Sequence, residues 1–138
     1  MGDPLTVATG LIAIITATVQ SSKALYQVVQ SFRNHQSTID RLNHELLALT
    51  SVLQSLAYHV AADEDPFLPL EGPLRQCTRA CGEFKELLDK NVKHSGGQRT
   101  SFRDWSRLSY MSSDIDGFTD MLAGYKATMC IALADANL

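Results

Sequence analysis

Residues 39–60 of this chain read IDRLNHELLALTSVLQSLAYHV, and this stretch decides the fold. Apolar residues recur in it at alternating steps of three and four, with polar and charged side chains between them, as on an amphipathic helix. Such a seam is typical of a helix that packs lengthwise against neighbouring helices. Its apolar positions are Ile39, Leu42, Leu46, Leu49, Leu53, Leu56 and Val60.

The chain of 138 residues has the length of one ordinary domain. Hydrophobic residues make up 45% of it and charged residues 20%, a composition that excludes a disordered chain. The net charge of -3 argues against a dedicated nucleic-acid binder. We expect a single helical domain over residues 1–138, forming the N-terminal part of a longer protein.

Charge is absent from the N-terminal segment between Asp3 and Lys23. The segment lacks the basic region of a secretory signal peptide. Its length suits a transmembrane helix, but seven of its nineteen residues are polar, which makes a permanent span marginal. A helix buried in a bundle is also apolar nearly all round. A further interpretation combines these two: a helix that packs in one state and enters a membrane in another.

Spacing of three and four residues predicts three more helices. The first begins at Asp3 and Pro4, carries Gly10 in its interior and runs to about residue 32. The third follows a proline-rich connection, with one proline in or before its first turn. The fourth begins near Trp105. No stretch alternates at period two, so the sequence predicts an all-α fold: an antiparallel four-helix bundle, with a broken first helix or one extra short helix as a variant.

No catalytic constellation is present in the sequence, which contains no nucleophile elbow, zinc-protease motif or phosphate-binding glycine loop. Cys77 and Cys81 fall one helical turn apart on an apolar seam, which favours core packing over metal binding. The odd cysteine count suits a reducing cytosol. Asp116 and Asp120 are spaced to hold a cation, although a solvated acidic face is the commoner meaning. We predict no enzymatic activity, cofactor or metal.

Basic residues gather between positions 90 and 107, where Asp104 is the one acidic residue. A solvated loop and helix start accounts for this pattern without any ligand. Contact with anionic lipid headgroups is the functional alternative, at about 1 kcal/mol per basic residue near the surface. The residues concerned are Lys90, Lys93, Arg99, Arg103 and Arg107.

Four stretches, taken together, resemble one protein family. They are DPLTVATGLI at residues 3–12, LNHELLALTSVLQSL at residues 42–56, PLRQC at residues 73–77 leading to Leu87 and Leu88, and Trp105 opening the last helix. In this order they are similar to the HeLo-like N-terminal domains of fungal NLR-like (STAND) receptors and amyloid-signalling cell-death proteins. These domains are related to the HeLo domain of HET-S and to the four-helix bundle of MLKL.

The resemblance implies programmed cell death, as in fungal incompatibility and innate immunity. Such domains permeabilise the plasma membrane after oligomerisation, and their extreme N-terminal helix is the membrane-active element. The implied partners are membrane lipids and further copies of the chain, with no nucleic acid and no small-molecule substrate. The implied location is cytoplasmic at rest and the plasma membrane when activated. Carried onto this sequence, the membrane-active positions are Leu5, Val7, Leu11, Ile12, Ile14, Ile15 and Val19.

A second hypothesis belongs to a different class of function. In it, the chain is a non-enzymatic helical adaptor or oligomerisation domain of an NLR-like signalling protein. An adaptor predicts no membrane leakage and a stable dimer or heteromer in solution. The state of residues 1–22 in the folded bundle, packed or exposed, is the observation that bears most directly on the choice.

Overall fold

The computed structural model of the chain describes residues 10–31, 37–91 and 111–137, with the backbone alone at Asn91. These residues form four α-helices and one short 3-10 helix and contain no β-strand, which confirms the predicted all-α fold. The α-helices are α1 (Leu11–Gln30), α2 (Ser37–Ala62), α3 (Glu71–Asn91) and α4 (Ser112–Ala136), and the 3-10 helix spans Asp65–Leu70.

The seam of α2 forms the centre of the hydrophobic core. All seven of its predicted apolar positions are buried, and only Val60 retains any exposed surface. Fully burying one leucine or isoleucine side chain contributes about 1.5–3 kcal/mol. Because α2 packs against α1 along one side and α4 along another, these side chains hold both neighbours to the same core.

The four helices alternate in direction. The start of α1 at Leu11 contacts Glu64, just beyond the end of α2, while Ser22 farther along α1 contacts Thr50 within α2. The sequence numbers thus run in opposite directions, and the two helices are antiparallel. Between α2 and α4 the sequence numbers of contacting residues increase together: Arg41 contacts Asp116, and Glu45 contacts Lys126. These two helices are therefore parallel. The antiparallel four-helix bundle is confirmed.

Among the adjacent pairs of described helices, packing is weakest between α3 and α4. α1 packs extensively against α2 and α3, and α2 packs extensively against α4. Far fewer residues meet between α3 and α4, and the 3-10 helix closes the end of that side by contacting both of them. Within the described residues, α1 is therefore flanked by α2 and α3, while α4 packs mainly against α2.

The structure corrects one detail of the sequence prediction, and it shows which of the two predicted variants is present. Gly10 is the N-cap residue of α1, with a ψ angle of -144°, and does not lie inside the helix. Glycine is well accepted at an N-cap, so no helix-interior cost applies to it. α1 then continues unbroken through residues 20–22 and ends at Gln30. The extra short helix is the 3-10 helix, which contains Pro66 and Pro69, and Pro73 lies in the first turn of α3 as predicted.

Several predicted features lie outside the described residues. They include Asp3 and Pro4 at the expected start of the first helix. They also include the connection after α3 and Trp105, which was expected to open the last helix.

Candidate functional site

The described part of the predicted membrane-active segment is packed into the bundle. Leu11 and Ile15 lie in the core with exposed fractions of 3% and 0%. The other described members, which are partly buried against that core, are Ile12, Ile14 and Val19. Leu5 and Val7 lie outside the described residues. Within the described ranges, no helix combines the length and the apolar character needed to cross a bilayer.

A carboxylate anchors the N-terminus of α1. The backbone N–H of Leu11 donates a hydrogen bond of 2.8 Å to Oε2 of Glu64. The first N–H groups of a helix have no partner within it, and the positive end of the helix dipole favours an anion there. Glu64 lies between α2 and the 3-10 helix, so this bond ties the start of α1 to the far end of α2.

Two threonine hydroxyls connect α1 to α3. Thr18 is fully buried, and its Oγ1 lies 2.7 Å from Oγ1 of Thr78. Each hydroxyl also has a carbonyl of its own helix within reach: Ile14 at 2.8 Å for Thr18, and Leu74 at 3.0 Å for Thr78. Each hydroxyl carries a single hydrogen. The bond between the two helices therefore competes with one of the bonds inside a helix.

Two serines extend this polar contact. Ser22 is fully buried; its Oγ lies 3.2 Å from Oγ1 of Thr50 on α2 and 3.0 Å from the carbonyl oxygen of Val19 on its own helix. Ser21 donates a hydrogen bond of 3.1 Å to the backbone carbonyl of Thr78. α1 is thus joined to both neighbours by small hydroxyl side chains. We name as the hydroxyl layer the residues Thr18, Ser21, Ser22, Thr50 and Thr78.

Ion pairs connect α2 to α4. The guanidinium of Arg41 bridges two carboxylates one turn apart, with Nη1 at 2.9 Å from Oδ1 of Asp116 and Nη2 at 2.5 Å from Oδ1 of Asp120. The cation that these two aspartates hold is therefore an arginine of the same chain. Lys126 Nζ lies 2.7 Å from Oε2 of Glu45, whose side chain is only 17% exposed. These contacts join α4 to α2 and leave α1 out.

The basic cluster predicted for lipid contact cannot be assembled from the described residues. Lys90 is exposed near the end of α3. The other members, which lie outside the described residues, are Lys93, Arg99, Arg103 and Arg107.

The cysteines of α3 are core residues. Cys77 and Cys81 are buried and Cys130 is exposed. Hydrogen bonding with the Cys77 thiol, together with burial, raises the pKa of Cys81 far above its ordinary value. Such a thiol stays protonated and is a poor nucleophile or metal ligand. Burial also raises the pKa of the nearby Tyr125. The described residues contain no group of three side chains able to hold a metal ion.

Two of the surface grooves that border α3 differ in chemistry. One, of about 550 Å³, lies between α3 and α4, where the rings of Phe84 and Phe118 stack with centroids 4.2 Å apart. Leu87 and Met121, exposed by 38% and 46%, also line this groove. The other groove, of about 440 Å³, lies between α1 and α3. The grooves differ in chemistry, since the first is mainly apolar and the second carries arginines.

Sequence reasoning missed the partners that hold α1. Thr50 and Thr78 each follow directly after a residue of an apolar seam, which is the one signal that marks them as semi-buried. Glu64 follows the end of α2 in an acidic run and carries no signal that it caps a helix more than fifty residues earlier. These roles depend on how the helices align with one another in space.

In the described residues, the fold and the site define a small all-α bundle whose helix α1 is docked through hydroxyl groups. The chain belongs to the family described as pigment biosynthesis cluster protein PigL N-terminal, whose model matches residues 2–138. This is a fungal domain family. Neither a curated protein nor a solved structure matches the chain.

Proposed function

We propose that this domain executes regulated cell death by permeabilising a membrane after oligomerisation, with the N-terminal helix as the membrane-active element. In this mechanism the packed bundle is the resting state. The resemblance of four sequence stretches to fungal HeLo-like domains supports it, and the family to which the chain belongs is also a fungal domain family. The relation to HeLo-like domains is part of the proposal.

The hydroxyl layer is the observation that carries the proposal. When α1 leaves the bundle, Thr18 gives up Thr78 but keeps the carbonyl of Ile14, and Ser22 gives up Thr50 but keeps that of Val19. Neither buried hydroxyl is then left without an acceptor, so their cost in an apolar medium is reduced. In an oligomer the same hydroxyls bond to neighbouring helices. Such a helix is adapted to two environments.

The apolar side chains explain why the same helix stays docked in water. Leu11 and Ile15 are buried against the core, and exposing either of them would cost about 1.5–3 kcal/mol. Release therefore needs another apolar environment to receive these side chains. Lipid tails, or the equivalent helices of further copies, supply it.

A reversible covalent lock tests whether α1 must leave the bundle. Because the Oγ1 atoms of Thr18 and Thr78 lie 2.7 Å apart, we expect a disulfide to form in a T18C/T78C variant, made in a background without the three native cysteines. We expect dye release from vesicles of phosphatidylserine and phosphatidylcholine only after reduction. The background protein, oxidised and reduced, is the matched control and should release dye equally in both states. Circular dichroism checks that each variant is folded.

The outcomes separate the elements of the mechanism. Leakage that is suppressed in the locked form and restored by reduction supports release of α1. Equal leakage from the locked and reduced forms would exclude α1 as the membrane-active element. Absence of leakage from the parent chain under all conditions would contradict membrane permeabilisation itself.

One observation favours the adaptor as a second candidate. The groove between α3 and α4 exposes Leu87 and Met121 beside a stacked phenylalanine pair, and exposed apolar surface of this kind suits a protein partner. An adaptor predicts a dimer or heteromer in analytical ultracentrifugation and no dye release. An M121D variant should then abolish association without affecting the fold.

A further inference from the structure

The groove between α1 and α3 has walls of unlike chemistry. The α1 wall consists of Ala13, Ile14 and Ala17, which are small or apolar. The α3 wall carries Arg75 and Arg79. The two arginines are spaced by one helical turn, so they lie on the same face of α3 and border the same opening. Lined in this way, the groove encloses about 440 Å³.

The positive charge at this groove is partly compensated, since Glu71 lies one turn before Arg75 and Glu83 one turn after Arg79 on α3. Arg79 forms no ion pair with any described residue, and Arg75 pairs with Glu71 at 3.1 Å in a contact where both side chains are more than half exposed. A pair so exposed to water is weak and readily exchanged. The facing helix offers no carboxylate, since residues 11–22 of α1 carry no charge.

We infer that this groove binds an anionic phospholipid of a membrane surface. The two guanidinium groups hold the headgroup phosphate through charge-assisted hydrogen bonds, and Ala13, Ile14 and Ala17 contact the glycerol and upper acyl carbons. The apolar wall selects an amphiphile over a free phosphate ion. Arginine suits this role because its planar fork matches the oxygens of a phosphate.

This inference rests on the proposed function and makes it more specific. In this inference the groove is the first surface that contacts the membrane, and α1 forms one wall of the groove. α1 therefore lies next to the bilayer when the bundle binds. It also places the lipid contact on α3 residues other than the basic cluster between positions 90 and 107. The groove and that cluster are therefore separable by substitution.

The test compares two double variants of equal charge change. R75Q/R79Q removes both guanidinium groups from the groove, and K23Q/K85Q removes two exposed or half-exposed cations elsewhere on α1 and α3. Binding is measured by co-sedimentation with vesicles of phosphatidylserine and phosphatidylcholine, and with vesicles of phosphatidylcholine alone. We expect R75Q/R79Q to weaken binding to the anionic vesicles by roughly 25-fold, about fivefold per arginine, and K23Q/K85Q by less than about threefold. Circular dichroism confirms that both variants are folded.

Each result decides the inference. Equal weakening by the two variants would indicate diffuse electrostatic attraction and would overturn a specific groove, and so would an absence of binding by the parent. Dye release measured on the same vesicles separates this inference from the proposed function. Leakage that persists in R75Q/R79Q with unchanged binding rejects the groove alone. Selective loss of binding in that variant, with no leakage from any protein, supports the groove and rejects permeabilisation.

Discussion

The carboxylate of Glu64 accepts a hydrogen bond of 2.8 Å from the backbone N–H of Leu11, and this bond caps the first turn of α1. The N-cap residue Gly10 has no side chain to satisfy that first turn. The cap is supplied instead by a residue just beyond the end of α2. The start of α1 is thus held by a long-range contact that one substitution removes.

Replacing Glu64 should loosen α1 selectively. We expect E64A to lower the free energy of unfolding by about 1–2 kcal/mol and E64Q by about 0.5–1 kcal/mol, because the amide retains an acceptor but loses the charge at the helix terminus. Urea denaturation measures both. Hydrogen exchange should show the largest increase at the amides of α1. The exposed D65N variant is the control, and an equal effect from it would argue against the cap.

The hydroxyl layer should show coupling without large single effects. We expect T18V and T78V each to destabilise the fold by about 1 kcal/mol, and the double variant by less than the sum, with a coupling energy of about 0.5–1 kcal/mol. The cause is that each single substitution removes the same bond between α1 and α3. A double-mutant cycle in urea measures this coupling.

T128V is the matched control for that cycle. Thr128 is exposed and donates to the carbonyl of Gly124 on its own helix at 3.0 Å, with no partner on another described helix. We expect a change within about 0.5 kcal/mol. Strict additivity of T18V and T78V would mean that their close approach contributes nothing to docking.

The two ion pairs between α2 and α4 should differ in strength. We expect K126A to cost about 1–2 kcal/mol and R41A about 0.5–1 kcal/mol, although Arg41 makes two contacts. Glu45 is largely buried, so the loss of Lys126 leaves its carboxylate poorly solvated, whereas Asp116 and Asp120 are about half and about three-quarters exposed. Thermal unfolding at low and high salt distinguishes them, because salt should diminish the effect of R41A more. An equal salt response would contradict this ranking.

Two interior glycines are sites for stabilisation. A Cβ atom added at Gly82 of α3 or Gly117 of α4 meets no atom within 4 Å. Alanine at either position should therefore raise the free energy of unfolding by about 0.5–1 kcal/mol, through its greater helix propensity. Urea denaturation measures the gain. A loss of stability in G82A would contradict this prediction. It would show that α3 needs the backbone freedom of glycine at position 82, which its helical geometry does not require.

The thiols should react in two classes. At pH 8 we expect rapid modification of Cys130 by a thiol reagent, while Cys77 and Cys81 stay protected until the protein unfolds, because burial and hydrogen bonding raise the pKa of Cys81. Mass spectrometry of the labelled chain counts the sites. C130S should remove the fast class entirely. Rapid labelling of either α3 cysteine in C130S would show that this part of the core opens readily.

Features set by spacing along one helix were predictable from the sequence. The α2 seam, the burial of Cys77 and Cys81 and the position of Pro73 follow from the local pattern, because side chains at three- and four-residue spacing share one helix face. The prediction that Gly10 lies inside the first helix was wrong, because Gly10 is the N-cap residue and the next N–H bonds to Glu64, which is distant in the sequence. The bridge from Arg41 to two aspartates could not be predicted from the sequence either. Arg41 is separated from these aspartates by 75 and 79 positions along the chain.

The bridge from Arg41 to Asp116 and Asp120 specifies the register of α4 against α2. If α4 slid by one turn in either direction, the guanidinium would face Asp120 with Gly124, or Asp116 with Ser112, and one of its two bonds would be lost. Only one alignment satisfies both. The alignment of α2 with α4 is therefore set by this contact independently of α1, which takes no part in it.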